Sequence, residues 1–274
     1  MSKKLCVACI QTVTTPDVAA NQARLEPLIR EARAKGADLI TLPENANLQI
    51  SNKQQLFATA RHEAEDTTIP LLQRMAKDTG AWILAGSLAI ATGEDRLANR
   101  GYLFDPKGEI AARYDKIHMF DANLGPNLQY HESANYRPGD KAVVATMPWG
   151  KLGLSICYDL RFPHLYRCLA KAGANVIAIP AAFAETTGKM HWHVLLRARA
   201  IETGCFIVAP AQCGARDDGR RTYGHSLIVA PSGSIIAEAG DEPGVIVADL
   251  DLNLVTEARH ALPCLKHDRE FEKA

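Results

Sequence analysis

Apolar residues recur along this chain with two periods, and the alternation between them predicts the elements. LCVACIQTV (5–13) is a short apolar run that reads as a first strand. From Asp17 to Lys35, Leu25, Leu28, Ile29 and Ala32 fall at helical spacing, and Gly36 supplies a stop. ADLITLPE (37–44) is apolar over most of its length, as expected of a strand covered on both faces. Residues 68–79 read as a helix ended by Gly80, and AWILAGSLAIA (81–91) and ANRGYLFD (98–105) as strands. The order strand, helix, strand of 37–91 returns in outline over 152–211, with helices at 163–172 and 189–203 and strands at 175–180 and 206–211. YLFDPKGEIAARY (102–114) and SLIVAPSGSIIAEA (226–239) each place a Pro-x-Gly turn between two apolar strands, a hairpin signature. Two halves with one order predict an α/β fold of two stacked mixed sheets with helices outside, a four-layer αββα sandwich.

Neither a linker nor a break in composition interrupts the pattern, so residues 1–274 are expected to form a single domain. The stretch from Asp115 to Asp140 is long, polar and rich in asparagine, and loops of that length in compact domains are usually functional. Composition narrows the function classes. Acidic and basic residues balance at 31 each, so the charge excess that drives binding to nucleic acid or an anionic membrane is missing. Seven cysteines without disulfide-like spacing suggest free thiols in a reducing compartment, and a cytoplasmic location is expected. The apolar run after the first lysines is too short for a signal peptide and has no cleavage site behind it, and no stretch resembles a transmembrane span.

Cys157 carries the first chemical question. It ends the run KLGLSI and precedes the turn DLRFP, which opens a helix near Pro163. A thiol at a helix N-terminus sits in positive potential, which favours the thiolate, but free cysteines are also among the most buried residues. On this stretch alone packing and catalysis stand level. A nucleophilic cysteine needs a base. His118, His164, His191, His193 and His225 are candidates, but no papain-type motif surrounds the cysteine. Glu44, at the end of ADLITLPE, and Lys116, just past another strand, offer a second route, because carboxylate, ammonium and thiol together can move protons and hold an oxyanion. Each of these two residues alone would ordinarily be a solvated surface group.

LPEN (42–45), YDKIHMFD (114–121) and ICYDLRFP (156–163), in this order, resemble the three signature blocks of the nitrilase, or carbon–nitrogen hydrolase, superfamily. The likeness continues through 181–214 and YGHSLIVAPSG (223–233), and is nearest to the branch of deaminated-glutathione amidases and ω-amidases. The resemblance implies a Glu44–Lys116–Cys157 triad, with Glu44 as general base and Lys116, helped by the backbone N–H of Tyr158, at the oxyanion. Glu132 matches a second glutamate beside the lysine. The implied reaction converts a small linear amide, deaminated glutathione or the ω-amide of a 2-oxo acid, to the acid plus ammonia through a thioester. An N-carbamoyl amidase, a nitrilase or a catalytically silent binding protein are the alternatives. The resemblance also implies a homodimer or larger assembly, with the segment 251–274 reaching toward a partner subunit, and no cofactor.

His164 and His193 stand where the branch often carries acidic residues, which makes them candidate specificity residues. Arg161, after the nucleophile turn, is placed either to meet a substrate carboxylate or to form a structural salt bridge. Phe183, Thr186 and Thr187 follow the strand NVIAIP and are expected to line the pocket from a loop. His191 and His193, two apart, do not converge on a metal, and Cys6 and Cys9 within one strand point to opposite faces, so neither a metal site nor a redox pair is expected.

Overall fold

Leu5, Val7 and Cys9 face one way and Ala8 and Ile10 the other, and this parity sets the layering of the molecule. The computed structural model describes residues 4–125 and 128–272, so the expectations touching residues 1–3, 126–127 and 273–274 lie outside the described residues. The strand Lys4–Gln11 lies parallel to Leu39–Thr41, which lies parallel to Trp82–Leu84. Antiparallel Gly244–Asp251 and Leu97–Phe104 flank this trio in one sheet. The second sheet runs Val143–Met147, Gly150–Leu154, Val176–Ala178, Phe206–Ala209, Leu227–Val229, Ile235–Glu238, again with a parallel trio at its centre.

Six α-helices occur among the described residues: α1 (Val18–Ala34), α2 (Lys53–Thr59), α3 (Thr68–Thr79), α4 (Pro163–Lys171), α5 (Glu185–Thr203) and α6 (Asn253–Ala261). Asp17 caps α1 by accepting the Ala20 N–H, and Gly80 ends α3 in the left-handed region at φ 65°. Ala8, Ile10, Ile40, Ile83, Tyr102 and Phe104 pack with Leu25 and Ile29 of α1 and Leu72 and Met75 of α3. From the other face of the same strands, Leu5, Val7, Leu39, Leu84 and Leu103 share a core with Leu152, Val176 and Val208 of the second sheet. That core continues to Leu165 and Leu169 of α4 and Trp192 and Leu196 of α5. The layers are therefore helix, sheet, sheet, helix, as the pattern predicts.

The strand predicted over 81–91 is two strands, Trp82–Leu84 and Leu88–Ala91, which both pair antiparallel with Leu97–Phe104 but in registers one residue apart. Gly86 breaks it at φ 70°, where a Cβ would stand 2.0 Å from the Leu42 carbonyl oxygen. Gly86→Ala is expected to destabilise the fold by at least about 2 kcal/mol, read as a lowered denaturant midpoint, because neither backbone can yield. The segment from Asp115 to Asp140 is not structureless: it carries the hairpin Asp121–Asn123/Gln129–His131 and a 3-10 turn at Glu132–Ala134.

The two parallel trios bring their carboxyl ends together. Thr12, just past Lys4–Gln11, bridges Gln212, just past Phe206–Ala209, and the Cys213 N–H donates to the Thr12 carbonyl at 3.0 Å. Chain segments leaving both sheets therefore converge at one edge, the usual place for a site in an α/β fold.

Candidate active site

Three chain segments remote in sequence meet at that edge. Glu44 follows Leu39–Thr41, Lys116 follows Ile110–Asp115, and Cys157 follows Gly150–Leu154. Lys116 Nζ lies 2.8 Å from Glu44 Oε1 and 2.8 Å from Glu132 Oε2, with its side chain only 2 % exposed. Asn99 Nδ2 donates to Glu44 Oε1 at 2.9 Å and to Glu132 Oε1 at 3.2 Å. Backbone N–H groups complete the shell: Ala182 donates to Glu44 Oε2 at 2.8 Å and Phe120 to Glu132 Oε2 at 2.6 Å. A buried charge cluster needs partners for its charged atoms, and here each carboxylate oxygen and the ammonium has at least one, while Asn99 Oδ1 has none among the described residues.

The charges do not settle symmetrically. Burial works against the Glu44 charge, yet the Lys116 ammonium and the hydrogen bonds from Lys116, Cys157 and Ala182 outweigh it and hold the group below the usual carboxylate range. For Glu132, burial together with the neighbouring Glu44 charge prevails over Lys116 and pushes the carboxyl up. Burial would lower Lys116, but the two glutamates hold it well above its ordinary value. The Cys157 thiol is driven well above its ordinary value by burial and then by the adjoining Glu44 charge, which Lys116 offsets only in part. The expectation of a thiolate favoured by the helix N-terminus is therefore corrected. The resting sulfur is a thiol facing an ionised carboxylate, so attack requires transfer of its proton to Glu44.

Backbone strain aims the thiol. Cys157 sits at φ 47°, a region that side-chain-bearing residues visit rarely. It begins the 3-10 turn Cys157–Arg161, and its N–H donates to the Pro180 carbonyl at 2.8 Å. Tyr158 is the second residue of that turn, at the end where backbone N–H groups have no partner inside the turn. Asp159, fully buried, ties the turn to the Lys116 segment. Its carboxylate accepts the Ile156 N–H at 2.8 Å, the Tyr114 hydroxyl at 2.6 Å and the His118 N–H at 3.0 Å, with His118 Nδ1 at 2.7 Å. Tyr114 and His118 flank Lys116, so one carboxylate fixes the nucleophile relative to the cation. Arg199 secures the other end of the turn by donating from Nε to the Leu160 carbonyl at 2.9 Å. Asp159→Asn, which turns an acceptor into a donor among four donors, is expected to cost about 2–4 kcal/mol and to lower turnover, measured by urea denaturation beside steady-state kinetics.

Two cavities meet at Cys157. The wide one, about 310 Å³, is walled by Glu44, Lys116, Glu132, Tyr136 and a row of arginines from residues 216–221. The narrow one, about 20 Å³, is walled by Tyr158, Arg161, Phe183 and Thr187. Cys157, Phe120, Ala182 and Ala184 belong to both. The expected pocket residues Arg161, Phe183 and Thr187 are thus placed at the cavity, while Thr186, His164 and His193 are not. Helix α5 begins at Glu185, earlier than its predicted start, and turns Thr186 outward to solvent while Thr187 is buried. His164 is exposed and meets the edge of the His118 ring. His193 Nε2 lies 2.8 Å from Glu238, which His225 Nδ1 also approaches at 3.2 Å. Those three side chains form the one grouping with metal-binding donors among the described residues, and it lies outside both cavities.

For Arg161 the choice between a salt bridge and a free guanidinium resolves toward the latter. Its Nη1 contacts His191 Nδ1 at 3.2 Å and its guanidinium lies over the Phe183 ring at 5.1 Å, with no carboxylate within 4.0 Å among the described residues. Sequence reasoning missed Asn99, whose amide joins both glutamates, and Arg216. No local pattern marks Asn99, which is mid-strand in ANRGYLFD. Arg216 had a signal in the run ARDDGRR, three arginines interleaved with two aspartates.

A carbon-nitrogen hydrolase family model matches residues 6–260. A deaminated glutathione amidase from Synechocystis is 40 % identical over 97 % of this chain and 98 % of its own length. The Homo sapiens protein of that name is 38 % identical over 96 % of this chain and 82 % of its own. Among solved structures, the C. elegans NitFhit protein superposes with a TM-score of 0.91 at 32 % identity, over 97 % of this chain and 65 % of that one. Saccharomyces cerevisiae Nit3, a member of branch 10 of the nitrilase superfamily, does so with a TM-score of 0.85 at 30 % identity, over 95 % and 94 % of the two chains.

Proposed function

This chain belongs to the carbon-nitrogen hydrolase family, and from that premise we propose that it hydrolyses a small linear amide, deaminated glutathione or the ω-amide of a 2-oxo acid, through a thioester on Cys157. The observation that carries the reading is the buried Glu44–Lys116–Glu132 cluster set against a strained thiol at the mouth of a cavity. Cys157 Sγ attacks the amide carbon as its proton passes to Glu44. Charge developing on the carbonyl oxygen is met by Lys116 and the Tyr158 N–H. The C–N bond breaks as Glu44 returns the proton to the departing nitrogen. An unsubstituted amide releases ammonia and an N-substituted one releases its amine. Glu44 then takes a proton from water, which attacks the thioester and frees the acid and the thiol. Glu132 and Asn99 hold Lys116 and Glu44 in register throughout. All three chemical roles are filled by side chains, so the reading requires no cofactor.

Arg161 is proposed to receive a carboxylate on the acyl side, which favours 2-oxo dicarboxylic amides over neutral ones. Seven free cysteines accord with a reducing cytoplasm, and no helix among the described residues is long and apolar enough to cross a membrane. A single domain and a homodimeric or larger assembly complete the reading. Leu262 and Phe271, exposed by 71 % and 86 %, give the segment after Leu250 the apolar contacts a partner subunit would cover.

The test is product release across a panel of ω-amides (deaminated glutathione among them), an N-carbamoyl amino acid and a nitrile. Turnover of the ω-amides is expected to lead. A preference for the nitrile or the carbamoyl compound assigns the chain another activity of its family, and no turnover of any of them favours a binding protein.

A further inference from the structure

We infer that Arg216 selects substrates whose leaving amine carries a carboxylate, an assignment that rests on the amide-hydrolase reading above. The direction of the substrate follows from proton transfer. Glu44, which must protonate the departing nitrogen, walls only the wide cavity, while Arg161 walls only the narrow one. An amide whose carbonyl carbon meets Cys157 therefore sends its amine portion into the wide lobe. At about 310 Å³ that lobe is much larger than an ammonia leaving group requires, and it lies in the range of ordinary ligand pockets.

Of the three arginines on the wall of that lobe, two are already engaged. Arg220 donates to Asp218 from Nε at 2.6 Å and lies over the Tyr130 ring at 4.6 Å. Arg221 is exposed and leans toward Glu185 at 3.7 Å. Arg216 is different. It has no carboxylate within 4.0 Å among the described residues, its Nε is buried without a partner, and Nη2 reaches only Ser51 Oγ, at 3.4 Å. A buried guanidinium donor left unsatisfied is costly, and a planar fork of such donors fits a carboxylate better than any other common ligand group.

The nearby acids act on it only beyond ion-pair distance. Asp217 accepts both the Ser51 N–H, at 2.9 Å, and its hydroxyl, at 2.7 Å, and Asp218, despite its burial, is held well below the usual carboxylate range by Arg220, Ser51, the Arg220 N–H and, more weakly, the Arg216 charge. The Arg216 N–H donates to the Arg220 carbonyl at 2.8 Å, closing the turn between Cys213–Ala215 and Arg221–Tyr223, so the guanidinium is carried on a fixed frame. The wide lobe thus offers an anion on the leaving amine a guanidinium with an unpartnered Nε and no carboxylate at ion-pair distance among the described residues, as Arg161 does for one on the acyl group.

The test uses two N-substituted ω-amides with the same acyl group, one with an amine portion ending in glycine and one ending in glycinamide. Wild-type protein is expected to favour the carboxylate form in kcat/KM by about 10-fold or more, mostly through KM. Arg216→Gln should bring that ratio to within about threefold of unity, Arg216→Lys should leave it intermediate, and Arg161→Gln should slow both substrates together. Equal use of the two forms by the wild type, or a ratio that survives in Arg216→Gln, overturns the assignment to Arg216 while leaving the hydrolase standing. Failure of the wild type to cleave either amide while it still releases ammonia from the unsubstituted ω-amide of the same acyl group overturns the Arg216 assignment alone, and failure on all three overturns the hydrolase reading with it.

Discussion

Cys157→Ala is expected to lower kcat/KM on the best ω-amide by about 10,000-fold or more while the fold survives. Alanine removes the thiol set against Glu44, and no other cysteine among the described residues lines either cavity. The substitution keeps a Cβ, so the backbone at φ 47° remains as strained as before and the turn is not given an easier path to another shape. Stability should change by no more than about 1–2 kcal/mol, the cost of one small buried group. Steady-state kinetics beside a thermal melt separate the two effects. Turnover within tenfold of wild type contradicts a thioester route, and a mutant that does not fold would call for Cys157→Ser in its place.

Glu44→Gln should cost about 100- to 10,000-fold in turnover, the range for a positioned general base, and it carries a second, opposite signature. The Glu44 charge is one of the causes that hold the Cys157 thiol up, so neutralising it should move the thiol's ionisation down toward its ordinary value. The variant is therefore expected to be alkylated by iodoacetamide at lower pH than the wild type even as it fails to turn over amide. A base that worked through a stable thiolate pair would give the reverse, because losing the partner of such a pair raises the thiol. Glutamine can still accept the Ala182 N–H, but its amide nitrogen then faces the Lys116 and Asn99 donors, so a thermal melt beside the kinetics separates lost turnover from lost stability.

The parts of this molecule written in local pattern were legible in its sequence, and those written in contacts were not. Thr68–Thr79 with Gly80 behind it declares both its period and its stop, and the parity of LCVACIQ declares two covered faces. The break at Gly86 depends on the Leu42 and Pro43 carbonyls, more than forty residues upstream, and nothing around Gly86 announces them. The early start of α5 has a similar cause. Glu185, Thr186, Thr187 and Gly188 look like a loop, yet Gly188 is helical, and Tyr223 packs where its Cβ would stand. At the site, Glu44, Lys116 and Cys157 were recognisable as a set because LPEN, YDKIHMFD and ICYDLRFP together resemble the signature blocks of one family, where strand ends alone left packing and catalysis level. The state of the thiol was not, because a helix N-terminus visible in sequence argued for a thiolate, while burial and a carboxylate visible only in space argue more strongly against it. His164 and His193 stood out by departing from a family pattern, but exposure and the Glu238 contact take them away from the cavities. Arg216 is the converse, an unremarked arginine that stands out only in space, where its Nε is buried with no partner among the described residues.

The most direct measurement is acid-quenched mass spectrometry in the first turnovers of a slow ω-amide substrate. A covalent adduct with the mass of the acyl group, released by hydroxylamine and mapped to the peptide that contains Cys157, is the expected result. Product formation with no acyl adduct under conditions where breakdown of the thioester limits the rate, or an adduct on any of the other six cysteines, contradicts it.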